Sequence, residues 1–215
     1  MRKTRASARL RSTLWLYTLL ILCGCNKQQE AVELTGKEPF REGDLVLRCG
    51  YGMESRAVTA ASKSAYSHIG ILHFDEQTST WTVVHAVPGE AGEDGRETLK
   101  SEPLTDFFAP DRAIRGAWMR VDCTDTVAQA ATAYALSKVE QEVLFDNDYQ
   151  LTDTTTLYCT ELVWQAYQHQ GLDLSDGQRH SVPTLISKDG ECIFPSDIKE
   201  SSHILFYKPF KTTKL

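Results

Sequence analysis

The sequence has no apolar run long enough to cross a membrane as a helix. Its N-terminal apolar stretch, Leu14 to Leu22, covers about nine residues, whereas a spanning helix needs about 20. The stretch is instead the length of the apolar region of an export signal. The absence of a long run therefore points to an exported chain without a spanning helix of its own.

The body of the chain is also poor in positive charge. Five of the 23 Lys and Arg residues lie in residues 1–24, whereas all 29 Asp and Glu residues follow this segment. The chain from residue 25 onward therefore carries a net charge of −11. So acidic a body is repelled by nucleic acid and by anionic lipid surfaces. We therefore expect no nucleic acid partner and no basic patch for membrane contact.

The cysteines beyond residue 25 lack the CxxC spacing of structural zinc sites. They are Cys49, Cys123, Cys159 and Cys192. Without that spacing a structural zinc cluster is a poor prediction. Their number leaves two arrangements open in an oxidising compartment: two disulfides, or one bridge with a working thiol and a buried thiol.

The N-terminus carries the pattern of a bacterial lipoprotein signal. Five positive charges precede the apolar stretch: Arg2, Lys3, Arg5, Arg9 and Arg11. The stretch ends in Leu22-Cys23-Gly24-Cys25, which resembles a lipobox. The resemblance implies cleavage after Gly24 and lipidation of Cys25. Several acyl chains on one residue anchor a protein durably, because each buried methylene contributes about 0.8 kcal/mol.

This pattern predicts three segments. Residues 1–24 are a signal peptide, residues 25–38 are a lipidated N-terminus with a polar tether, and residues 39–215 form one domain. Asn26 stands where an Asp often retains lipoproteins at the inner membrane. By that resemblance we expect the outer membrane, with the domain facing the periplasm.

The domain has the pattern of an α+β protein. Apolar alternation and β-branched residues predict strands at 45–48, 67–74, 80–86, 113–121 and 204–207. Helical spacing predicts helices at 54–63, 104–108, 124–138 and 159–170. Residues 88–112 are interpreted as a long connection that contains one of these short helices.

Cys159 stands at the first turn of a predicted helix whose apolar stripe includes Leu162, Val163 and Ala166. Free backbone N–H groups at such an end stabilise a thiolate and can receive an oxyanion. A nucleophile is one interpretation of Cys159. A small buried hydrophobic residue is the other.

His68 and His85 lie on the two strands of a predicted hairpin. If the connecting loop has an even number of residues, the two rings share one face of the sheet, either opposite or diagonal to each other. The spacing thus permits a base with an orienting partner, but two half-buried structural histidines fit it equally well. A zinc site with Cys159 would lack a fourth ligand, so no metal is expected.

Three motifs in order resemble the circularly permuted NlpC-type cysteine hydrolases of the YiiX/YebB-like group. They are Gly43-Asp44-Leu45-Val46, Tyr66-Ser67-His68-Ile69-Gly70 and Tyr158-Cys159-Thr160-Glu161-Leu162-Val163. The resemblance runs from about Phe40 to Gln170. It implies a papain-like α+β fold in which an antiparallel sheet packs against helices.

The resemblance also implies roles for individual residues. Cys159 takes the place of the nucleophile and His68 that of the general base. His85 occupies the third position, where a Glu is expected in this group, so Asp44 and Glu161 stay open as alternatives. With Cys159 kept as a thiol, at most one disulfide is expected among the other three cysteines of the domain.

The expected function is hydrolysis of an amide bond through a thioester, as in a cysteine peptidase or amidase. The expected substrate is a peptidoglycan peptide or another acyl or amide compound of the envelope, and no cofactor is needed. Two alternatives remain: a thioesterase or acyltransferase for lipid-like substrates, and a catalytically silent module that binds wall peptides.

Overall fold

A computed structural model describes residues 30–92, 94–151, 155–181 and 190–214. The predicted signal peptide and Cys25 lie outside these residues. Within the described ranges, no helix has the length and apolarity that crossing a membrane requires. The five helices of these ranges are α1 (Met53–Ser62), α2 (Leu104–Phe107), α3 (Asp125–Glu140), α4 (Cys159–Gln168) and α5 (Pro195–Glu200).

Twelve strands accompany them in the described residues. They are β1 (Glu30–Val32), β2 (Leu45–Cys49), β3 (His68–Asp75), β4 (Thr80–His85), β5 (Lys100–Pro103), β6 (Arg115–Val121), β7 (Leu144–Phe145), β8 (Thr156–Leu157), β9 (His180–Ser181), β10 (Glu191–Cys192), β11 (Ile204–Pro209) and β12 (Thr212–Lys214). Six of them form the main sheet in the order β11-β6-β2-β3-β4-β5, and all its neighbours run antiparallel.

The two faces of this sheet bury separate apolar clusters. The larger cluster lies between the sheet and helices α3 and α4, and it includes Leu47, Ile69 and Leu162. The smaller one lies under α2 on the opposite face and includes Leu72 and Phe107. Side chains alternate between the faces along each strand, so β2, β3 and β4 each contribute to both clusters. The predicted α+β class is confirmed.

Helices α3 and α4 form where the sequence gives both apolar spacing and end signals. The Thr124 side chain accepts a hydrogen bond from the Val127 N–H and caps α3. Gly171, with φ +85°, follows the end of α4 and takes a left-handed conformation that other residues rarely adopt. Cys159 is the first residue of α4, and α4 packs on the central strand β3.

The predicted strands and helices are present with ends shifted by a few residues, but several elements were not predicted. Strand β5 lies inside the segment interpreted as a connection, and α5 lies in the C-terminal part. Strand β1 falls in the predicted tether and pairs with β12 near the other end of the chain. The tether segment therefore contacts the domain from residue 30 onward.

Candidate active site

A cleft of about 220 Å³ opens where β2 ends and β3 begins, beside the first turn of α4. Cys159 and His68 both line it, so these two sequence-predicted residues belong to the same cleft. The lining also includes apolar and aromatic side chains, among them Val58, Phe145, Tyr149, Tyr158, Ile193 and Phe194. The cleft thus combines a thiol and an imidazole with room for an apolar group.

Cys159 is buried at the tip of α4, against the beginning of β3. Pairing of β3 with β4 runs from Asp75–Thr80 to Ile71–Val84 and ends there. The backbone N–H of Ile69 lies beyond this pairing, and it lowers the pKa of the Cys159 thiol. Ile69 directly follows His68, the other candidate residue that lines the cleft.

Burial raises the pKa of the Cys159 thiol. The Thr160 hydroxyl, the Ile69 N–H and the positive charge of Arg48 act in the opposite direction and lower this pKa, but less strongly. The sequence suggests a thiolate stabilised by the helix end. In the folded chain the loss of solvent opposes that stabilisation, so the resting sulfur is protonated at neutral pH.

His68 and His85 share a hydrogen bond, with 2.8 Å between His68 Nε2 and His85 Nδ1. The register Ile71–Val84 places His85 across from Gly70, so His68 is its diagonal neighbour on the same face. A Cβ on Gly70 would lie 2.4 Å from Val83 Cγ1 and 3.1 Å from His85 Cβ. The missing side chain at Gly70 therefore gives the two rings room to meet.

Both imidazoles are held in the neutral form. Burial lowers the pKa of His68 well below its usual value, and the charges of Arg48, His85 and Lys100 lower it further. Burial also lowers the pKa of His85 to about 4, although its hydrogen bond to Glu102 acts in the opposite direction. A neutral His68 is free to accept a proton at neutral pH, as a general base must.

These lowered pKa values predict a loss of stability in mild acid. Between about pH 6.5 and pH 4.5 the unfolded chain protonates both histidines while the folded chain does not, so acid favours unfolding. We expect urea denaturation to show a fall of about 2–4 kcal/mol in the free energy of unfolding from pH 7 to pH 5. A His85→Gln variant should lose about half of this dependence, and a flat profile for the wild type would contradict the prediction.

A residue that the sequence did not single out completes the histidine pair. Glu102 on β5 accepts a hydrogen bond from His85, with 3.0 Å between His85 Nε2 and Glu102 Oε1. It lies in a four-residue edge strand, Lys-Ser-Glu-Pro, that has no apolar alternation. No strand pattern marks this segment, which is why sequence analysis missed both the strand and the residue.

The two alternatives for the third position lie elsewhere. Asp44 accepts hydrogen bonds from the Trp118 ring nitrogen at 2.9 Å and from the Arg120 guanidinium at 2.7 Å. Glu161 is buried on α4 and accepts a hydrogen bond from Gln165. Neither carboxylate lines the cleft, whereas His85 contacts His68 directly.

The four cysteines of the described domain, Cys49, Cys123, Cys159 and Cys192, are all free thiols. Cys192 shares the cleft with Cys159. Burial raises the pKa of the Cys192 thiol to about 12, so this second sulfur is protonated at neutral pH.

An antiparallel sheet that carries a histidine, with a cysteine at the tip of the helix packed on it, is the arrangement of papain-like hydrolases. A model of the family described as permuted papain-like amidase enzymes (YaeF/YiiX, C92 family) matches residues 40–204. The chain therefore belongs to this permuted papain-like amidase family, whose class of reaction is amide hydrolysis.

A solved structure shows the same fold. The metalloprotein yiiX from Escherichia coli O157:H7 superposes with a TM-score of 0.61 at 19% sequence identity, over 81% of this chain and 97% of that chain. At this identity the likeness concerns the fold alone. No curated protein matches the chain significantly.

Proposed function

We propose that this protein is an envelope-anchored cysteine hydrolase that cleaves an amide bond through a thioester at Cys159. The observation that carries the proposal is the cleft that Cys159 and His68 both line, with Nε2 of His68 held by a hydrogen bond to His85. The hydrogen bond at Nε2 leaves Nδ1 of His68 as the nitrogen that can serve the thiol. Membership in an amidase family supports amide hydrolysis as the reaction.

The first half of the reaction forms the thioester. As the Cys159 sulfur bonds to the substrate carbonyl carbon, its proton passes to Nδ1 of His68. The carbonyl oxygen becomes an oxyanion, and the backbone N–H of Cys159, which has no partner within α4, faces the position where that charge develops. His68 then gives its proton to the departing nitrogen, so the C–N bond breaks and an amine leaves.

The second half restores the enzyme. Water loses a proton to His68 and attacks the thioester carbonyl, and the sulfur departs and regains the proton from His68. The net reaction converts an amide and water into a carboxylic acid and an amine. His68 acts as base and acid in turn, which requires its neutral form at the start of each step.

The proposed location rests on the N-terminal sequence. Charged residues, a short apolar stretch and the Leu22-Cys23-Gly24-Cys25 motif together support cleavage after Gly24 and lipidation of Cys25. A lipid anchor at residue 25 and a domain in contact with the chain from residue 30 would hold the cleft close to the membrane surface. Peptidoglycan peptides are the amide substrates available there.

A second candidate function is the cleavage or transfer of an acyl group from a lipid-like thioester, ester or amide. Apolar side chains in the lining of the cleft favour it, because Val58, Phe145 and Ile193 offer an acyl chain a surface that excludes water. Tyr149 and Tyr158 also line the cleft. Both functions use the same thiol and differ in the group on the carbonyl carbon.

The yiiX protein of similar fold is called a metalloprotein. Among the described residues of this chain, no group of three or more His, Cys, Asp and Glu side chains is placed to hold a metal ion. The facing nitrogens of His68 and His85 are 2.8 Å apart and bond to each other. In the proposed mechanism His68 carries the proton and His85 holds its ring.

Digestion of two substrate sets tests the proposal and separates the two candidates. Purified peptidoglycan and a set of acyl thioesters and acyl amides are incubated with the wild type and with Cys159→Ala, and the products are identified by mass spectrometry. We expect the wild type to release peptide fragments from peptidoglycan and Cys159→Ala to release none. If the wild type releases acyl groups from the thioesters or acyl amides but no peptide from peptidoglycan, the second candidate function replaces the first.

Alkylation by iodoacetamide provides the control that needs no substrate. If neither substrate set reacts and Cys159 is alkylated at the same rate in the wild type and in His68→Gln, the chain is a silent binding module and the proposed hydrolysis is wrong. Product release by Cys159→Ala would rule out the thioester.

A further inference from the structure

We infer that Glu102 is a positioning residue that fixes the tautomers of His85 and His68, so that Nδ1 of His68 is the nitrogen free to accept the proton of Cys159. This inference deepens the proposed function and rests on it. Its basis is an unbroken chain of hydrogen bonds: 2.8 Å from His68 Nε2 to His85 Nδ1 and 3.0 Å from His85 Nε2 to Glu102 Oε1.

The tautomers follow from the donor and acceptor at each link. An ionised carboxylate only accepts hydrogen bonds, so His85 must carry its proton on Nε2. The Nδ1 of a neutral His85 is then an acceptor, and His68 must carry its proton on Nε2 to complete the second bond. Nδ1 of His68 is left without a proton. A general base opposite a thiol requires this tautomer.

Glu102 is kept ionised by the positive groups around it. Arg112 Nη1 lies 2.8 Å and Lys100 Nζ 3.2 Å from Glu102 Oε2, and Arg48 Nη1 lies 4.0 Å from Oε1. Burial alone would raise the pKa of Glu102, but the hydrogen bond and charge of His85 together with Lys100 and Arg112 lower it to about 2. The carboxylate is therefore an acceptor across the whole physiological pH range.

The arrangement explains how a histidine can occupy the third position. A neutral His85 holds the ring of His68 but contributes no negative charge of its own. Glu102, one strand further across the sheet, supplies that charge through His85. When His68 becomes an imidazolium during the attack, the Glu102 carboxylate stabilises this positive charge through the intervening ring of His85. The ring of His68 keeps its orientation.

Glu102→Gln should reverse the chain of hydrogen bonds. Arg112 and Lys100 both donate to the position of Oε2, so the amide oxygen takes that position and the NH₂ group faces His85 Nε2. His85 must then accept at Nε2 and donate from Nδ1, which forces the proton of His68 onto Nδ1. We expect kcat to fall about 10²–10⁴-fold with little change in KM.

Nitrogen-15 NMR of the histidine side chains reads the tautomers directly. In the wild type at neutral pH we expect His68 and His85 both to be protonated on Nε2, and in Glu102→Gln both on Nδ1. Glu90→Gln is the matched control, because Glu90 belongs to the same charged cluster and pairs with Arg48 and Lys100 but bonds to neither histidine. This variant loses the same charge and should keep the wild-type tautomers.

The outcomes separate this inference from the proposed function. Unchanged tautomers in Glu102→Gln, or a wild-type His85 protonated on Nδ1, would overturn the role of Glu102 and leave the thiol mechanism standing. The wild-type spectrum gives this answer even if Glu102→Gln does not fold. Tautomers as expected with an unreactive Cys159 would instead overturn the proposed hydrolysis.

Discussion

Replacing His68 with glutamine is expected to lower the rate of amide hydrolysis by about 10²–10⁴-fold. The amide of glutamine can still hydrogen-bond to His85, so the interior at this point stays polar and filled. It cannot take a proton at neutral pH, however, and the buried Cys159 thiol would then have to ionise without a base. The fall should appear both in product release from the cleaved substrate and in the alkylation rate of Cys159.

His73→Gln is the matched control for this experiment. His73 lies on the same strand, β3, but its Nδ1 is bonded to Glu42 at 2.8 Å and it does not line the cleft. We expect hydrolysis and alkylation in His73→Gln to stay within about twofold of the wild type. Equal effects of the two substitutions would mean that His68 acts only on the stability of the sheet.

The buried setting of the pair indicates how the reaction depends on pH. Because burial raises the pKa of Cys159 and lowers that of His68, the resting pair is a thiol beside a neutral imidazole. The proton therefore moves during the attack, and activity requires only that His68 be unprotonated. Activity should thus persist into mild acid, below the ordinary pKa of histidine at about 6.5.

The sequence was sufficient where apolar periodicity and local end signals agreed. Helices α3 and α4 carry apolar residues at helical spacing, and the strands β3 and β4 alternate around a polar loop. Strand β5 has only polar residues and a proline, and its position depends on pairing with β4. Strands β1 and β12 likewise form only because distant parts of the chain meet. Such long-range pairings leave no local pattern.

The site was predictable in part for the same reason. Cys159 could be selected because it stands at the beginning of a predicted helix. The loop between β3 and β4 has an even number of residues, which places His68 and His85 on the same face of the sheet. The register then selected the diagonal arrangement, with Gly70 as the gap between the rings. Glu102 could not be found, because only the addition of β5 to the sheet brings it to His85.

Asp44→Ala is expected to lower the free energy of unfolding by about 3–5 kcal/mol, although Asp44 lies outside the cleft. Asp44 is 2% exposed, and both its oxygens accept hydrogen bonds from Arg120, which is itself partly buried. It also accepts a hydrogen bond from the ring nitrogen of Trp118. Removing the carboxylate leaves a partly buried guanidinium without its counter-charge and a buried indole N–H without an acceptor, and each carries a desolvation cost.

Urea denaturation measures this loss, with Glu76→Ala as control because Glu76 is an exposed carboxylate in the turn between β3 and β4. The control should change stability by no more than about 0.5 kcal/mol.

A double variant, Asp44→Ala with Arg120→Met, should recover part of the loss, since it removes the unpaired charge as well. In the folded Asp44→Ala protein the alkylation rate of Cys159 should equal that of the wild type. If Asp44→Ala instead has the stability of the wild type but a slower alkylation of Cys159, Asp44 would be the partner of the catalytic pair, in place of His85 and Glu102.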